Sequence, residues 1–371
     1  MSDKPRLLLW SPLPPPAGGI ATWTKRLLES ELRDRYELRV VDVNAGSMSH
    51  DDRLGRIRLA LGTLPRWARA LREFRPDVVH INTSARWPGL IKDAMAVRLA
   101  RLSGARTVLH VRGRGLQFLW EHPRWEVVFR RMINWADRLL VLNRVAAEHA
   151  TRKGFTHVQQ VPNFILRRPI PVREWPPFER PLRLLFVGWM ISAKGIFELL
   201  DAVRATPGVR LTCVGRWIEG TEASARRQFH DKIDEYGLHD RVHIEGEVPL
   251  EQVWQHYERA DVFVLPSWSE GFPNTLLESM MAGMPAIVSD AGAMPEAVVD
   301  GETGFVVPMR DTDALTAAIR RLATQPELVV RMGEAARARA EQEYERRRVV
   351  GLLADIYDEL LGIDSSNGSG A

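Results

Sequence analysis

The sequence predicts an α/β protein of two doubly wound domains, and three features carry that expectation. Short apolar runs of β-forming residues alternate with helical stretches through both halves, the layout of parallel sheets flanked by helices. The chain of 371 residues is longer than one ordinary core accommodates. Between the halves, Pro169 to Pro181 contains five prolines and reads as a stiff linker.

In the first half, Arg6 to Trp10, Glu37 to Val41, Val78 to Asn82, Thr107 to Val111 and Leu139 to Leu142 read as strands. Ala21 to Leu32 and Pro88 to Leu102 read as helices between them. The second half repeats the pattern with strands at Leu182 to Val187, Arg210 to Val214, Val242 to Glu245, Val262 to Leu265, Ala286 to Ser289 and Gly304 to Val307. A long closing helix, about Arg331 to Leu361, carries an apolar stripe of Val349, Leu352, Leu353, Ile356, Tyr357 and Leu360. Ser365 to Ala371 is a Gly/Ser-rich tail, expected to be flexible.

Composition excludes several classes. Cys213 is the only cysteine, so there is neither a disulfide framework nor a thiolate metal site, and a reducing cytoplasm fits best. Met1 to Arg6 lacks the apolar core of a signal peptide, and no window approaches a membrane span. The net charge of +4 hides an asymmetry. Residues 1–165 carry 28 Lys/Arg against 15 Asp/Glu, whereas the remainder carries 23 against 32. A basic first half suits a polyanionic partner. No aromatic-basic motif or finger spacing supports nucleic acid.

An anionic membrane surface suits it better. Arg53, Arg56, Arg58, Arg66, Arg69, Arg72 and Arg75 share one helical region with Leu54, Ile57, Leu61, Leu64, Trp67 and Leu71. Trp120, Arg124, Trp125, Arg130, Arg131 and Trp135 form a second cluster of residues favoured at headgroup depth. The competing expectation is a helix packed on its own domain, with a solvated basic face.

The most informative stretch is Ala260 to Met281. An apolar strand is followed by a loop, Ser267 to Pro273, and by a helix from Asn274 to Ala282 that Gly283 and Pro285 terminate. Glu270 in the loop and Glu278 on the helix have seven residues between them. A strand–loop–helix junction of a parallel sheet is where ligands bind, because helix N-terminal N–H groups point into the crevice. Those amides suit phosphates, and the carboxylates suit sugar hydroxyls.

This element resembles the Glu-x7-Glu mark of the retaining glycosyltransferases of family four. The likeness continues through Ala282 to Val288, Gly292, Pro295-Glu296 and Asp300 to Gly304. It implies the GT-B fold: two Rossmann-like domains facing an interdomain cleft, with the last helix crossing back to the N-terminal domain. Val161-Pro162-Asn163 resembles the family's crossing segment. The expected domains are residues 1–165 with about 350–364 for the acceptor, and 166–349 for the nucleotide sugar.

The resemblance assigns roles residue by residue. Lys194, in Phe186 to Gly195, stands where the family places a cation on the donor diphosphate, and Gly188 lies in the same motif. Glu270 faces donor-sugar hydroxyls and Glu278 accepts from the ribose. Gly271, Phe272, Asn274, Thr275 and Leu276 bring backbone close to the donor. Gly18-Gly19 forms the loop closing over diphosphate and acceptor. His110 faces the donor sugar near its anomeric centre, and His80 is divided between structure and acceptor contact. Gly215, Arg216 and Glu245 to Val248 flank the base. Gly113 and Gly115 do not make a dinucleotide fingerprint.

The chain departs from the family at Trp189, where an arginine is usual. Arg216, the backbone amides of 271–275, or stacking on the indole are the alternatives for that contact. Asp311-Thr312-Asp313 is the only Asp-x-Asp triplet, and it reads as a helix N-cap rather than a metal site. The expected enzyme is therefore a retaining hexosyltransferase that uses no metal or cofactor beyond its nucleotide-diphosphate sugar. A lipid-linked or cell-surface saccharide is the favoured acceptor, as in polysaccharide biosynthesis. Alternatives are a UDP-sugar 2-epimerase or hydrolase on the same scaffold, or a donor-binding subunit without catalysis.

Overall fold

The computed structural model describes residues 4–14, 18–43, 53–85, 89–113, 123–168, 181–218 and 223–363. The predicted linker through residue 180, the tail 365–371, Gly115 and Trp120 lie outside them, as do the side chains of 53–61, Arg124 and Trp125.

The chain divides into two compact units. Unit 1 comprises Met1–Asn163 with Arg346–Ala371, and unit 2 comprises Phe164–Glu345. Unit 1 holds strands β1 Arg6–Ser11, β2 Glu37–Asp42, β3 Val78–Thr83, β4 Arg106–Val111, β5 Arg138–Val141 and β6 Val158–Gln160. They form a parallel sheet in the order β2-β1-β3-β4-β5-β6. Its helices are α1 Gly19–Leu28, α2 Leu32–Arg35, α3 Arg53–Phe74, α4 Gly89–Leu102, α5 Pro123–Asn134 and α6 Arg144–Arg152. Unit 2 holds β7 Leu182–Val187, β8 Val209–Val214, β9 Val242–Gly246, β10 Val262–Leu265, β11 Ala286–Ser289 and β12 Gly304–Val307. These are parallel in the order β12-β11-β10-β7-β8-β9. Its helices are α7 Ile196–Arg204, α8 Ala223–Tyr236, α9 Leu250–Arg259, α10 Asn274–Met281, α11 Met294–Ala297, α12 Thr312–Thr324 and α13 Pro326–Glu343. The last helix, α14 Arg346–Leu361, belongs to unit 1.

The central strands are continuous apolar runs because helices cover both faces of each sheet. All six residues of β3 and all four of β10 are buried. In each sheet the winding reverses once, between β1 and β3 in unit 1 and between β7 and β10 in unit 2. The carboxyl ends of strands at such a reversal diverge and leave a crevice.

Two expectations are corrected. The helix expected from Ala21 to Leu32 ends at Leu28, and Leu32–Arg35 forms a separate turn after Ser30 bonds back to Leu27 O. The single closing helix is in fact two, α13 and α14, broken at Tyr344 and Glu345. Tyr344 leaves helical geometry because other contacts claim it. Its carbonyl accepts from Ile165 N at 2.8 Å, and its ring packs on Phe272 with centroids 5.3 Å apart. β6, a three-residue strand of sequence VQQ, carries no apolar pattern and was not anticipated.

On the described part of α3 the apolar face turns inward. Trp67 is fully buried against Trp10 and donates its indole N–H to Ala96 O, while Arg66, Arg69, Arg72 and Arg75 are exposed. Trp135 is partly buried against the same core. Trp67 and Leu71 are therefore core residues rather than a surface-docking face.

α14 is fixed to unit 1 by polar contacts as well as by its apolar stripe. Asp358 is buried and accepts from the Tyr36 hydroxyl and the Arg35 guanidinium. Burial and that carboxylate both raise the Tyr36 pKa, so the phenol stays protonated and donates. Asp358→Ala strands a buried hydroxyl and is expected to destabilise unit 1 by about 1–3 kcal/mol. Urea unfolding followed by tryptophan fluorescence measures it, and an unchanged midpoint contradicts this assignment.

Candidate donor site

The crevice of unit 2 opens at the carboxyl ends of β7 and β10, and the two loops that follow these strands are held by backbone contact. After β7 the chain makes one 3₁₀ turn, Ser192–Lys194, and reverses at Gly195 with φ +70° before entering α7. A Cβ on Gly195 would lie 2.1 Å from Pro266 O, so only glycine lets the two loops close. Trp268 N donates to Ala193 O at 2.9 Å across the same junction. A third loop, after β11, locks the second. Gly292 has φ +59°, and a Cβ there would lie 2.0 Å from Glu270 O. Ala293 N donates to Gly271 O at 2.9 Å, and the Ser289 hydroxyl donates to Ser267 O.

This framework puts Lys194 against Glu270. The ammonium donates to Glu270 Oε1, which also accepts from Ser267 Oγ at 2.9 Å. Both side chains are largely shielded from solvent. A half-buried ion pair with additional hydrogen bonding is held in a low-dielectric setting, where it interacts strongly with an arriving charge. Glu278, 4% exposed, lies midway along α10 and accepts from the Tyr257 hydroxyl at 3.1 Å.

α10 starts at Asn274 after Pro273, which offers no side-chain cap. The first-turn amides, including those of Thr275 and Leu276, have no i−4 carbonyl within the helix and give that end its positive character. The Phe272 and Leu276 side chains are buried in the core, so among the residues expected to bind donor these two can offer only backbone.

Gly188 and Arg216 stand at the ends of β7 and β8, joined by Gly188 N to Val214 O and Met190 N to Arg216 O, both at 2.9 Å. Trp189 is 46% exposed, and the Arg216 guanidinium lies over its ring, 5.9 Å from the centroid. The cation thus sits beside the exposed indole. Asp311 caps α12 by accepting from Ala314 N at 2.8 Å, as its position in the sequence implied.

The remaining expected site residues belong to unit 1. Gly18 is the N-cap of α1 in extended conformation, and Gly19 is its first helical residue. A side chain at Gly18 would meet open space, so the fold itself makes no steric demand for glycine there. His110, near the end of β4, and His80, in the middle of β3 rather than at its end as expected, are completely buried, with ring centroids 5.3 Å apart. Burial keeps both imidazoles neutral, lowering His80 to about 3 and His110 well below its ordinary value, with Arg112 adding to the effect.

Sequence reasoning missed Ser267 and Tyr257 as the partners of the two glutamates. It took Gly292 only as part of a pattern. A glycine shortly after a buried strand was the available signal, whereas a serine and a tyrosine carry none without the fold.

Comparison with known proteins agrees with the two-unit α/β fold. Residues 171–339 match the family described as glycosyl transferases group 1, and residues 15–163 match the glycosyl transferase 4-like domain. Two glycosyl transferase models together span most of the chain, which has the GT-B fold. This glycosyltransferase is 27% identical over 301 residues to glycogen synthase of Mycobacterium tuberculosis, covering 77% of the chain and 69% of that enzyme. It is 40% identical over 153 residues to a lipopolysaccharide core biosynthesis mannosyltransferase of Rhizobium leguminosarum, covering 40% of the chain and 43% of that protein. Among solved structures, sucrose-phosphate synthase from Thermosynechococcus elongatus superposes with a TM-score of 0.80 at 20% identity, over 97% of this chain and all of that one. Anabaena HepE, solved with UDP and glucose, gives 0.74 at 18% identity, over 95% of this chain and 99% of that one. These two structural likenesses establish the fold.

Gly292→Ala forces its Cβ onto Glu270 O and should destabilise unit 2 by more than about 1 kcal/mol. Differential scanning calorimetry reads the lowered transition. A variant melting with the wild type would show that the loops are not keyed in this way.

Proposed function

We propose that this glycosyltransferase moves a hexosyl residue from a nucleoside-diphosphate sugar to an acceptor hydroxyl, with retention of anomeric configuration and without a divalent metal. The observation that carries the reading is the Lys194–Glu270 pair at the carboxyl ends of β7 and β10. The pair joins one cation, one sugar-hydroxyl acceptor and, through the loop of Glu270, the amide-rich start of α10.

As the sugar–oxygen bond breaks, negative charge grows on the departing diphosphate. The Lys194 ammonium and the first-turn amides of α10 are preorganised to stabilise it, the kind of contribution that is usually the largest in catalysis. Glu270 would exchange its lysine contact for donor-sugar hydroxyls, with Ser267 keeping its carboxylate oriented. Glu278 would accept from the ribose, its other side steadied by Tyr257. Both glutamates belong to unit 2, the donor domain in this reading, so neither is cast as a nucleophile. Front-face displacement, with the leaving diphosphate taking the acceptor proton, accounts for retention.

A lipid-linked or cell-surface saccharide is the acceptor we favour. The likeness to a lipopolysaccharide core mannosyltransferase supports it, as do the exposed Arg66, Arg69 and Arg72 of α3 and Arg75 directly after it. Such a row would hold the enzyme reversibly on the anionic inner face of a cytoplasmic membrane, at about 1 kcal/mol per residue. Among the described residues no helix is long and apolar enough to cross a membrane. UDP is the first nucleotide to test, since HepE was solved with it.

Lys194→Ala and Glu270→Ala should each lower transfer by about 10²-fold or more, the scale of losing one preorganised electrostatic contact. A radiolabelled-donor assay with a lipid-linked acceptor pool measures this. Wild-type turnover in either variant refutes its role. The same assay in EDTA should keep its rate, and proton NMR of the product should show the donor's anomeric configuration. An inverted product, or loss of activity on chelation, contradicts the mechanism.

A further inference from the structure

In unit 1 the side chains gathered along β3 and at the carboxyl end of β4 carry an unbalanced charge. Trp23 of α1 lies over these strands, with ring centroids 5.6 Å from His80 and 5.7 Å from His110. Tyr357 of α14 bonds His80 Nδ1 at 2.7 Å. Arg112 follows β4 directly, its N–H donating to Thr83 O at 2.8 Å. The Arg112 guanidinium rests on Trp23, 3.9 Å from the ring centroid, and Nη2 donates to Asn163 Oδ1. Arg112 is 2% exposed, and its Nη1 is buried without a partner among the described residues.

Among the described residues no carboxylate answers this cation. The two acids buried among the described residues of the unit are engaged elsewhere. Asp93 accepts from Trp10 Nε1 at 2.9 Å and Thr83 Oγ1 at 2.7 Å, and Asp358 accepts from Tyr36 and Arg35. Both histidines are neutral, and burial pulls the Arg112 pKa down to about 9. Among the described residues the cluster therefore contains one buried cation and no anion. An unpaired buried charge costs stability, and proteins keep such groups mainly where function uses them. Arginine's planar fork matches a two-oxygen anion, and Nη1 is the arm left to make that contact.

We propose that Arg112 is the oxyanion-recognition residue of unit 1, taking a phosphate or carboxylate oxygen of the acceptor at the carboxyl ends of β3 and β4. The inference rests on reading the protein as a transferase with its acceptor held by unit 1. The acceptor class is thereby narrowed to saccharides carrying an acidic group, either a phosphate or a uronic carboxylate.

The experiment uses the full chain with saturating UDP, so that the donor site is occupied. Inorganic phosphate, glucuronate and glucose are added separately, with melting followed by fluorimetry and affinity by calorimetry. Phosphate or glucuronate should stabilise the wild type and Lys194→Ala saturably, and glucose should not. A response to phosphate alone points to a phosphorylated acceptor, and a response to glucuronate alone to an acidic sugar. Arg112→Met should weaken anion binding at least tenfold. Should that variant not fold, Arg112→Gln, which keeps a donor toward Asn163, is expected to show the same loss. No anion response in the wild type, or an undiminished one in the variants, overturns the proposal. UDP binding is read in the same titrations. A wild type that binds no nucleoside diphosphate defeats the transferase reading itself, whereas intact UDP binding without an anion response defeats this inference alone.

Discussion

Backbone packed on backbone is the constraint from which unit 2's site follows. Gly195 against Pro266 and Gly292 against Glu270 bring the loops after β7, β10 and β11 closer than any side chain permits. Only that approach lets Lys194 reach Glu270. A lysine on an open loop would spend its flexibility in solvent, and aligning it with a ligand would cost side-chain entropy at binding. Here the ordering is completed on folding. In the proposed function the ion pair is a resting arrangement whose partners are exchanged, with the diphosphate replacing the carboxylate and sugar hydroxyls replacing the ammonium.

Unit 1 is built on the same sheet plan with different chemistry along β3 and at the end of β4. Where unit 2 sets cation against carboxylate, unit 1 collects aromatic rings, two neutral histidines and one arginine. The closing helix α14 takes part directly, through Tyr357 on His80 and Asp358 on Tyr36. The last helix thus supports the middle of β3 and the entry to β2 as well as covering the sheet. Its first residue, Arg346, is also where the chain passes from unit 2 to unit 1.

Much of this was legible in the sequence where one local rule dominated. The runs at Val262–Leu265, Ala286–Ser289 and Gly304–Val307 were read to the residue, because buried parallel strands leave continuous β-branched and apolar segments. Asp311 was legible as a cap because its side chain acts within three residues of itself. The helix break at Tyr344 was illegible, since neither Gly nor Pro marks it and its cause is a contact with Ile165, far away in sequence. β6 was illegible because edge pairing, rather than side-chain pattern, makes VQQ a strand. The arginines of α3 were visible, but whether Trp67 faced lipid or core depended on Trp10 and Ala96, which only the fold supplies. Lys194 and Glu270 were named from a motif. Their mutual contact and its support by Ser267 needed the three-dimensional arrangement.

The central claim is that the lysine of this pair grips a pyrophosphoryl group. Calorimetric titration of the full-length protein with UDP and with uridine isolates that grip, because the two ligands differ only in the diphosphate. UDP should bind the wild type at least tenfold more tightly than uridine, and Lys194→Ala should erase most of the difference while leaving uridine affinity unchanged. If the variant still prefers UDP as strongly as the wild type does, Lys194 does not hold the diphosphate, and the account of the site is wrong.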